Sequence, residues 1–394
     1  MDQSVSKSIR RHTVQPSLHL APPRGHKQAK PASDANSQET TMIKSVKAYA
    51  ATSATAPLAL HPITRRQLRP DDVEIDILYC GVCHSDLHTA RNDWGWSSYP
   101  IVPGHEIIGR VIAVGSQVSK FKVGDRVGVG CMVDSCGHCD ACADGHEQHC
   151  RDSATYTYGA SDRIDGSLTQ GGYAEKVVVK EAFVVRIPDN LALQAAAPLL
   201  CAGITTWSPL KNARVGPGSR VAVVGLGGLG HMAIKLAKAL GAEVTLFTRS
   251  IGKEEDAYRL GADRVVISTD VTQMAQVAGH FHLIVDTVPY VHDINAYIPT
   301  LRFKGSLVLV GYLGPLEPTL NTMPMVIGGK AVAASMIGGI AATQEMLDFC
   351  GEHNIVSDVE VIAMQEINDA YERMLKSDVK YRFVIDMATL KAQA

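Results

Sequence analysis

Four cysteines, Cys136, Cys139, Cys142 and Cys150, are spaced C-x2-C-x2-C-x7-C. Four thiolates in a closed tetrahedron are the donor set of a structural zinc. The two-residue gaps let one tight loop present three of them, and Gly137 and Gly145 give that loop backbone freedom. An iron–sulfur cluster uses the same donors; the long final gap favours zinc. Such a polar loop holds together poorly without its metal, so its expected role is stability. Nine cysteines is an odd count for a disulfide framework, and clustering of this kind reads as metal binding in a reducing compartment.

Other metal-type residues are scattered. Cys83 lies in CGVCHSDLH (80–88), His105 in PGHE (103–106) and Cys201 in PLLCAGIT (198–205). A catalytic zinc takes three protein ligands and keeps one position open. Spacing alone does not select these three. Cys201 in an apolar run also reads as a small buried hydrophobe, and His105 as a polar loop residue. CGVCH also matches a c-type haem attachment pattern. No apolar export segment accompanies it, so Cys80 is read as a packed, non-ligating thiol.

The stretch Gly225-Leu226-Gly227-Gly228-Leu229-Gly230 fits G-x-G-x-x-G. It follows an apolar strand run, Val221–Val224, and opens a helical pattern, Leu229–Leu240, which is the context the motif requires. Gly225 permits the tight turn, Gly227 lets backbone approach a pyrophosphate, and Gly230 lets helix pack on strand. The helix N-terminus then faces the phosphates with its partial positive charge. The next strand, Val244–Phe247, runs into Thr248, Arg249, Ser250 and Lys253. NAD enzymes place a carboxylate at this point for the ribose 2′-hydroxyl. Hydroxyls and cations instead suit a 2′-phosphate, so the expected cofactor is NADP(H).

The elements that must position these residues change character along the chain. From Ile43 to about Arg186 the text is short β-type runs, such as Val73–Ile77, Ile107–Val114 and Tyr173–Val179, punctuated by glycines. That pattern suggests a barrel-like β unit. Beyond Leu200, apolar runs at Val265–Ser268, Leu283–Asp286 and Leu307–Val310 alternate with helix-like stretches, the mark of a doubly wound parallel α/β sheet. A helix pattern at Thr343–Cys350 and a strand at Arg382–Ile385 follow. The expected division is 1–41 as an unstructured extension, 42–199 with 336–394 as the catalytic domain, and 200–335 as the dinucleotide domain.

Residues 1–41 are rich in Ser, Pro, Gln and basic side chains and poor in large apolar ones, which predicts disorder. Arg10-Arg11 precedes no apolar stretch, and acidic residues fit a transit peptide poorly, so a cytoplasmic protein is expected, with Met42 a second candidate start. The chain is 46% hydrophobic and 20% charged with net charge −2, an ordinary globular balance. Nothing in it points to nucleic acid or to an anionic membrane surface, and no uncharged apolar run is long enough to span a bilayer.

Together the motifs resemble the zinc-containing medium-chain dehydrogenase/reductase superfamily, and within it the cinnamyl alcohol dehydrogenase family. The matching stretches are GVCHSDLH (81–88), YPIVPGHEIIG (99–109), FKVGDRVGVGC (121–131), TQGGYAE (169–175), APLLCAGITT (197–206), GLGGLGHMAIKLAKALGAEVT (225–245), QEMLDFC (344–350) and DVKYRFVID (378–386). The resemblance implies a GroES-like, mostly-β catalytic domain built from both ends of the chain, an inserted Rossmann domain, two zinc ions per chain and a homodimer. It assigns Cys83, His105 and Cys201 to the catalytic zinc, with Glu106 a carboxylate that binds it transiently and Asp86 a supporting residue. Ser85 and His88 match a proton relay, His84 a position near the cofactor phosphates and Thr205 one near the nicotinamide. Trp94, Trp96 and Tyr156 stand in the expected substrate pocket, where they depart from the plant lignin enzymes. The implied activity is NADP(H)-dependent interconversion of primary alcohols and aldehydes. A polyol or secondary-alcohol dehydrogenase is the alternative, and a non-catalytic cofactor-binding protein a remote one.

Overall fold

Residues 45–393 are described by the structure, a computed structural model; the extension expected over 1–41 lies outside them. The first sheet is built on β1 (Asp72–Gly81), a ten-residue strand. Val73, Ile75 and Ile77 are buried while Glu74 and Asp76 between them are half-buried, the period-2 alternation of a strand with one face on the core. The chain continues through α1 (His84–Ala90), β2 (Ile107–Val114), β3 (Arg126–Val129), β4 (Lys176–Lys180) and β5 (Val185–Arg186).

Helix α2 (Ala202–Asn212) then leads into a second sheet. Its strands are β6 (Arg220–Val224), β7 (Glu243–Thr248), β8 (Arg264–Ile267), β9 (Phe281–Asp286), β10 (Leu301–Leu309) and β11 (Ala331–Ala334). Helices α3 (Gly230–Ala239) and α4 (Glu254–Leu260) make the first two crossovers. All five strand pairings are parallel, in the order β8-β7-β6-β9-β10-β11. Strand order reverses between β6 and β9, where a doubly wound sheet opens a crevice for ligands at its carboxyl ends. The runs at β6, β7 and β9 are buried almost without interruption because helices cover both faces.

After α5 (Ile340–His353) the chain returns to the first sheet with β12 (Val359–Ala363), α6 (Ile367–Leu375) and β13 (Arg382–Asp386). Strand β13 pairs antiparallel with β1 and parallel with β12, so the seven-stranded sheet reads β5-β3-β2-β1-β13-β12, with β4 also on β1. The barrel-like unit expected before residue 186 is therefore completed by strands from the far end of the chain. The architecture is a GroES-like unit plus an inserted Rossmann sheet.

Candidate active site and metal centres

The turn between β1 and α1 brings the first residues together. Cys83 sits at the N-terminus of α1, and its backbone N–H donates to Asp86 Oδ2 at 2.9 Å. Asp86 is fully buried and collects three more donors: Gly104 N at 3.0 Å and His105 Nδ1 at 3.0 Å on Oδ1, and the Tyr173 hydroxyl at 3.1 Å on Oδ2. A carboxylate only accepts, so Nδ1 of His105 carries the proton and Nε2 is left for a metal. Tyr158 packs on the imidazole and places its hydroxyl 3.1 Å from Nδ1. Burial alone would lower the His105 pKa; the Asp86 carboxylate outweighs it and raises it.

Ligand atoms of Cys83, His105, Glu106 and Cys201 all lie within 4.8 Å of one another. Cys83 Sγ and Cys201 Sγ are 3.9 Å apart. Two thiolates on one tetrahedral zinc stand about 3.8 Å apart, given zinc–sulfur bonds of ~2.3 Å, so the pair fits that ion and is too wide for a disulfide. The hydrogen bond from the Cys201 thiol holds Cys83 well below its ordinary pKa. Glu106 is fully buried and pairs with Arg382, while its Oε2 has no partner. An orphaned buried carboxylate oxygen beside two thiols and an imidazole nitrogen is a further sign that the cluster is built for a cation.

The second cluster is the loop at 136–150. Its four Sγ atoms lie within 4.8 Å of one another, with Cys136 and Cys142 3.8 Å apart. Backbone amides donate to the sulfurs: Cys139 N to Cys136, Cys136 N to Cys150, and Arg151 N to Cys139. The Arg151 amide, with that of Cys142, brings the Cys139 thiol down to about 6, while desolvation pushes the Cys142 thiol up to about 11. Gly137 and Gly145 both have φ of 73°, the left-handed turns the loop needs.

The glycine loop joins β6 to α3. Gly225 has φ 88°, and a Cβ on Gly230 would lie 2.1 Å from Gly225 O, so neither position tolerates a side chain. A Cβ on Gly227 would meet nothing within 4 Å, which leaves its backbone open to a ligand. A Cβ on Gly228 would come within 2.7 Å of the Arg382 side chain. Arg382 therefore touches the glycine loop on one side and Glu106 on the other. It is a functional residue that motif reading missed, as are Tyr158 and Tyr173.

Thr248 ends β7, the strand next to the one that leads into the loop, and its hydroxyl bonds with the backbone of Ser250. Ser250 caps the following turn through Gly252 N. Arg249 is exposed, lies over the Tyr290 ring and donates to its hydroxyl at 2.8 Å. Lys253 is half-buried on the same turn. No carboxylate ends the strand, and this polar, cationic edge suits a phosphate.

The remaining candidates are placed as follows. Ser85 Oγ is 3.8 Å from Cys83 Sγ, and His88 lies one turn further along α1, its Nδ1 2.7 Å from Asp93. His84 begins α1, and burial lowers its pKa. Thr205 is buried one turn into α2, bonded to Cys201 O. Trp94 packs on His88 and Trp96 on Trp94, each at 5.4 Å between ring centroids, and Trp96 remains 67% exposed. Tyr156 is exposed at the surface; Tyr158, two residues on, is the tyrosine that reaches His105.

Two family models match: the alcohol dehydrogenase GroES-like domain over 69–189 and the zinc-binding dehydrogenase over 228–352. The chain is 53% identical over 352 residues to an NADP-dependent alcohol dehydrogenase C of Mycolicibacterium smegmatis, covering 89% of this chain and all of that one. It is 52% identical to the aldehyde reductase YahK of Escherichia coli, over 88% of this chain and 99% of the other. Among solved structures, a cinnamyl alcohol dehydrogenase from Sorghum bicolor superposes with a TM-score of 0.85 at 46% identity, over 89% of this chain and 100% of the other. The fold, the two thiol clusters and these matches agree: the chain belongs to the zinc-binding alcohol dehydrogenase family.

Proposed function

We propose that this protein is an NADP(H)-dependent zinc enzyme that interconverts primary alcohols and aldehydes. The observation that carries the reading is Arg382, whose one side chain links the metal-type cluster to the glycine loop, so that both face one crevice. In this reading Cys83, His105 and Cys201 hold the catalytic zinc, with Glu106 behind it. Cys136, Cys139, Cys142 and Cys150 hold a second, structural zinc, which makes two per chain. Residues 200–335 bind the dinucleotide, and 42–199 with 336–394 form the catalytic part.

When bound, zinc supplies a Lewis acid and the nicotinamide supplies or accepts hydride. The chain's own residues do the rest. Asp86 fixes the tautomer of His105, and Cys83 and Cys201 supply negative charge at the metal. Ser85 takes the alcohol proton and hands it towards His88, whose ring sits at the half-exposed end of α1. The amides of the Gly225–Gly230 loop would receive the pyrophosphate, with Thr205 the residue towards the nicotinamide and His84 the one towards the phosphates. Thr248, Arg249, Ser250 and Lys253 bind the 2′-phosphate. Trp94 and Trp96 form an aromatic wall next to the relay, which suits aromatic or broad aldehyde substrates.

Two further readings belong here. Beside the edge strand β11, Phe303, Leu313, Met323, Val326 and Ile327 are exposed apolar side chains, and Val326 is 79% exposed. Such a patch beside an open strand edge suits a homodimer; Val326→Asp should yield monomers by analytical ultracentrifugation. The nine cysteines all remain unpaired, which suits the cytoplasm. No helix among the described residues is long and apolar enough to cross a membrane.

The test is NADPH oxidation over an aldehyde panel, with sorbitol oxidation alongside and zinc measured on the same sample. Aldehyde turnover with two zinc ions per chain supports the reading, and faster sorbitol turnover favours the polyol alternative. Cys83→Ala or Cys201→Ala should abolish activity and remove one zinc; an active variant lacking that zinc would overturn the ligand assignment.

A further inference from the structure

Arg65 differs from the arginines around it. Arg66 pairs with Asp72 and Asp162, and Arg69 with Asp162 and Asp165. Arg65 makes no ion pair among the described residues. Its guanidinium instead donates from Nη1 to Gln170 O and from Nη2 to Gly171 O, the latter at 2.6 Å, and its Nε is buried without a partner. A half-buried guanidinium with no anion beside it has only these carbonyls to offset what it loses in hydration.

The two carbonyls it grips belong to the segment that backs the His105 loop. Gly171 N donates to Val102 O at 2.7 Å, Gly172 N to Gly104 O at 2.8 Å and Tyr173 N to Pro103 O at 3.0 Å. The Gln170 side chain accepts from Val102 N at 2.6 Å and donates to Pro100 O at 3.0 Å. The fit leaves no slack, since a Cβ on Gly171 would lie 2.2 Å from Pro103 O. The carbonyl of Gln170 shares its peptide group with Gly171 N–H, and that of Gly171 shares its with Gly172 N–H. A guanidinium on each carbonyl polarises the peptide and strengthens the amide on its far side. Those two amides are the ones that hold Val102 O and Gly104 O, on either side of Pro103 and next to His105.

We propose that Arg65 is a positioning residue for the metal centre: its planar fork fixes the 170–172 peptides, and through them sets where His105 meets Cys83 and Cys201. The inference rests on the reading that these three residues hold the catalytic metal.

The experiment compares wild-type protein with Arg65→Met, Arg65→Lys and, as control, Arg69→Met, which removes a paired arginine from the same region. The readouts are the rate at which a chromogenic chelator withdraws the faster-released metal, the visible spectrum of the cobalt-substituted protein, and kcat and KM for NADPH. Arg65→Met should release that metal roughly tenfold faster, shift the cobalt spectrum and lower kcat by about the same factor, in the range usual for residues that orient metal ligands. KM for NADPH should stay within about twofold, because the glycine loop is untouched. Arg65→Lys, with its charge but no fork, should fall between, and it decides the matter alone if Arg65→Met does not fold. Arg69→Met should keep wild-type release and kcat. Wild-type release and kcat in Arg65→Lys and Arg65→Met, or equal losses in Arg69→Met, would overturn the proposal. A wild-type protein with only one releasable metal would instead sink the reading of the centre itself.

Discussion

Asp86→Asn is the sharpest test of how the site is held. Each oxygen of Asp86 takes two donors: Gly104 N and His105 Nδ1 on one, Cys83 N and Tyr173 Oη on the other. Asparagine keeps one oxygen and turns an NH2 group towards the other pair. Facing the oxygen to His105 leaves Cys83 N without an acceptor, while the tyrosine hydroxyl turns to accept from the new NH2 group. Facing it to Cys83 sets an amide against Nδ1, which drives the imidazole proton to Nε2 and removes the metal's nitrogen donor. In the first arrangement one buried donor, Cys83 N, is orphaned at about 1–3 kcal/mol. In the second, metal affinity falls by ~10–100-fold, the usual effect of losing a ligand's orienting partner. The variant should therefore show a Tm several degrees lower, weaker metal retention in chelator competition, or both. Unchanged Tm and unchanged metal affinity together would refute the claim that Asp86 sets the tautomer and pose of His105.

Three other outcomes are expected. Thr248→Asp should move cofactor preference from NADPH towards NADH by about tenfold in kcat/KM, since a carboxylate facing a doubly charged phosphate across ~5 Å of hydrated surface costs about 1–2 kcal/mol; equal kcat/KM for both cofactors in the unmutated protein would remove the basis for it. Cys142→Ser should lose one zinc and lower thermal stability while the catalytic cluster keeps its ion, and an unchanged zinc content and Tm would show that the lobe is not metal-bound. His231 is fully buried, and burial pushes its pKa down from 6.5 to about 4. Between those values the unfolded chain binds the extra proton and the folded one does not, so stability is lost as pH falls, by about 3 kcal/mol in total. His231→Gln should flatten the fall in Tm from pH 6.5 to 4, and an identical profile in the variant would show that the slope comes from other groups.

What the sequence disclosed follows the range of the interactions. The four-cysteine loop is legible because its donors lie within fifteen residues and its turns are glycine turns. The Gly225–Gly230 loop is legible for the same reason: strand, turn and helix are contiguous. Strand β2 agrees with its run to the residue, Ile107–Val114. Cys83, His105 and Cys201 were picked out only by resemblance, because no local pattern says that the N-terminus of α1, a loop and the N-terminus of α2 meet. Helix α1 was not legible, since HSDLHTA has too few apolar side chains to show a stripe, and it is set by Asp86 closing back on Cys83 N. Tyr173 and Arg382 lie in stretches that carry the resemblance, but nothing local gave them or Tyr158 a role. Each acts through a partner distant in sequence: Tyr158 on His105, Tyr173 on Asp86, Arg382 on Glu106 and Gly228.

The place of β13 at the middle of its sheet has a consequence for how the molecule is made. Gly81 pairs with Val384, roughly 300 residues later in synthesis. The Rossmann strands, by contrast, join neighbours close in sequence, and such local units form first as the chain emerges. Until β13 arrives, the Tyr79–Gly81 end of β1, beyond the reach of β4, presents an open edge, the condition that favours wrong pairing between nascent chains. Arg382, on the same strand, reaches Glu106 only then. Assembly of the reaction centre is thus among the last events of folding, and the early-folding dinucleotide unit waits for it.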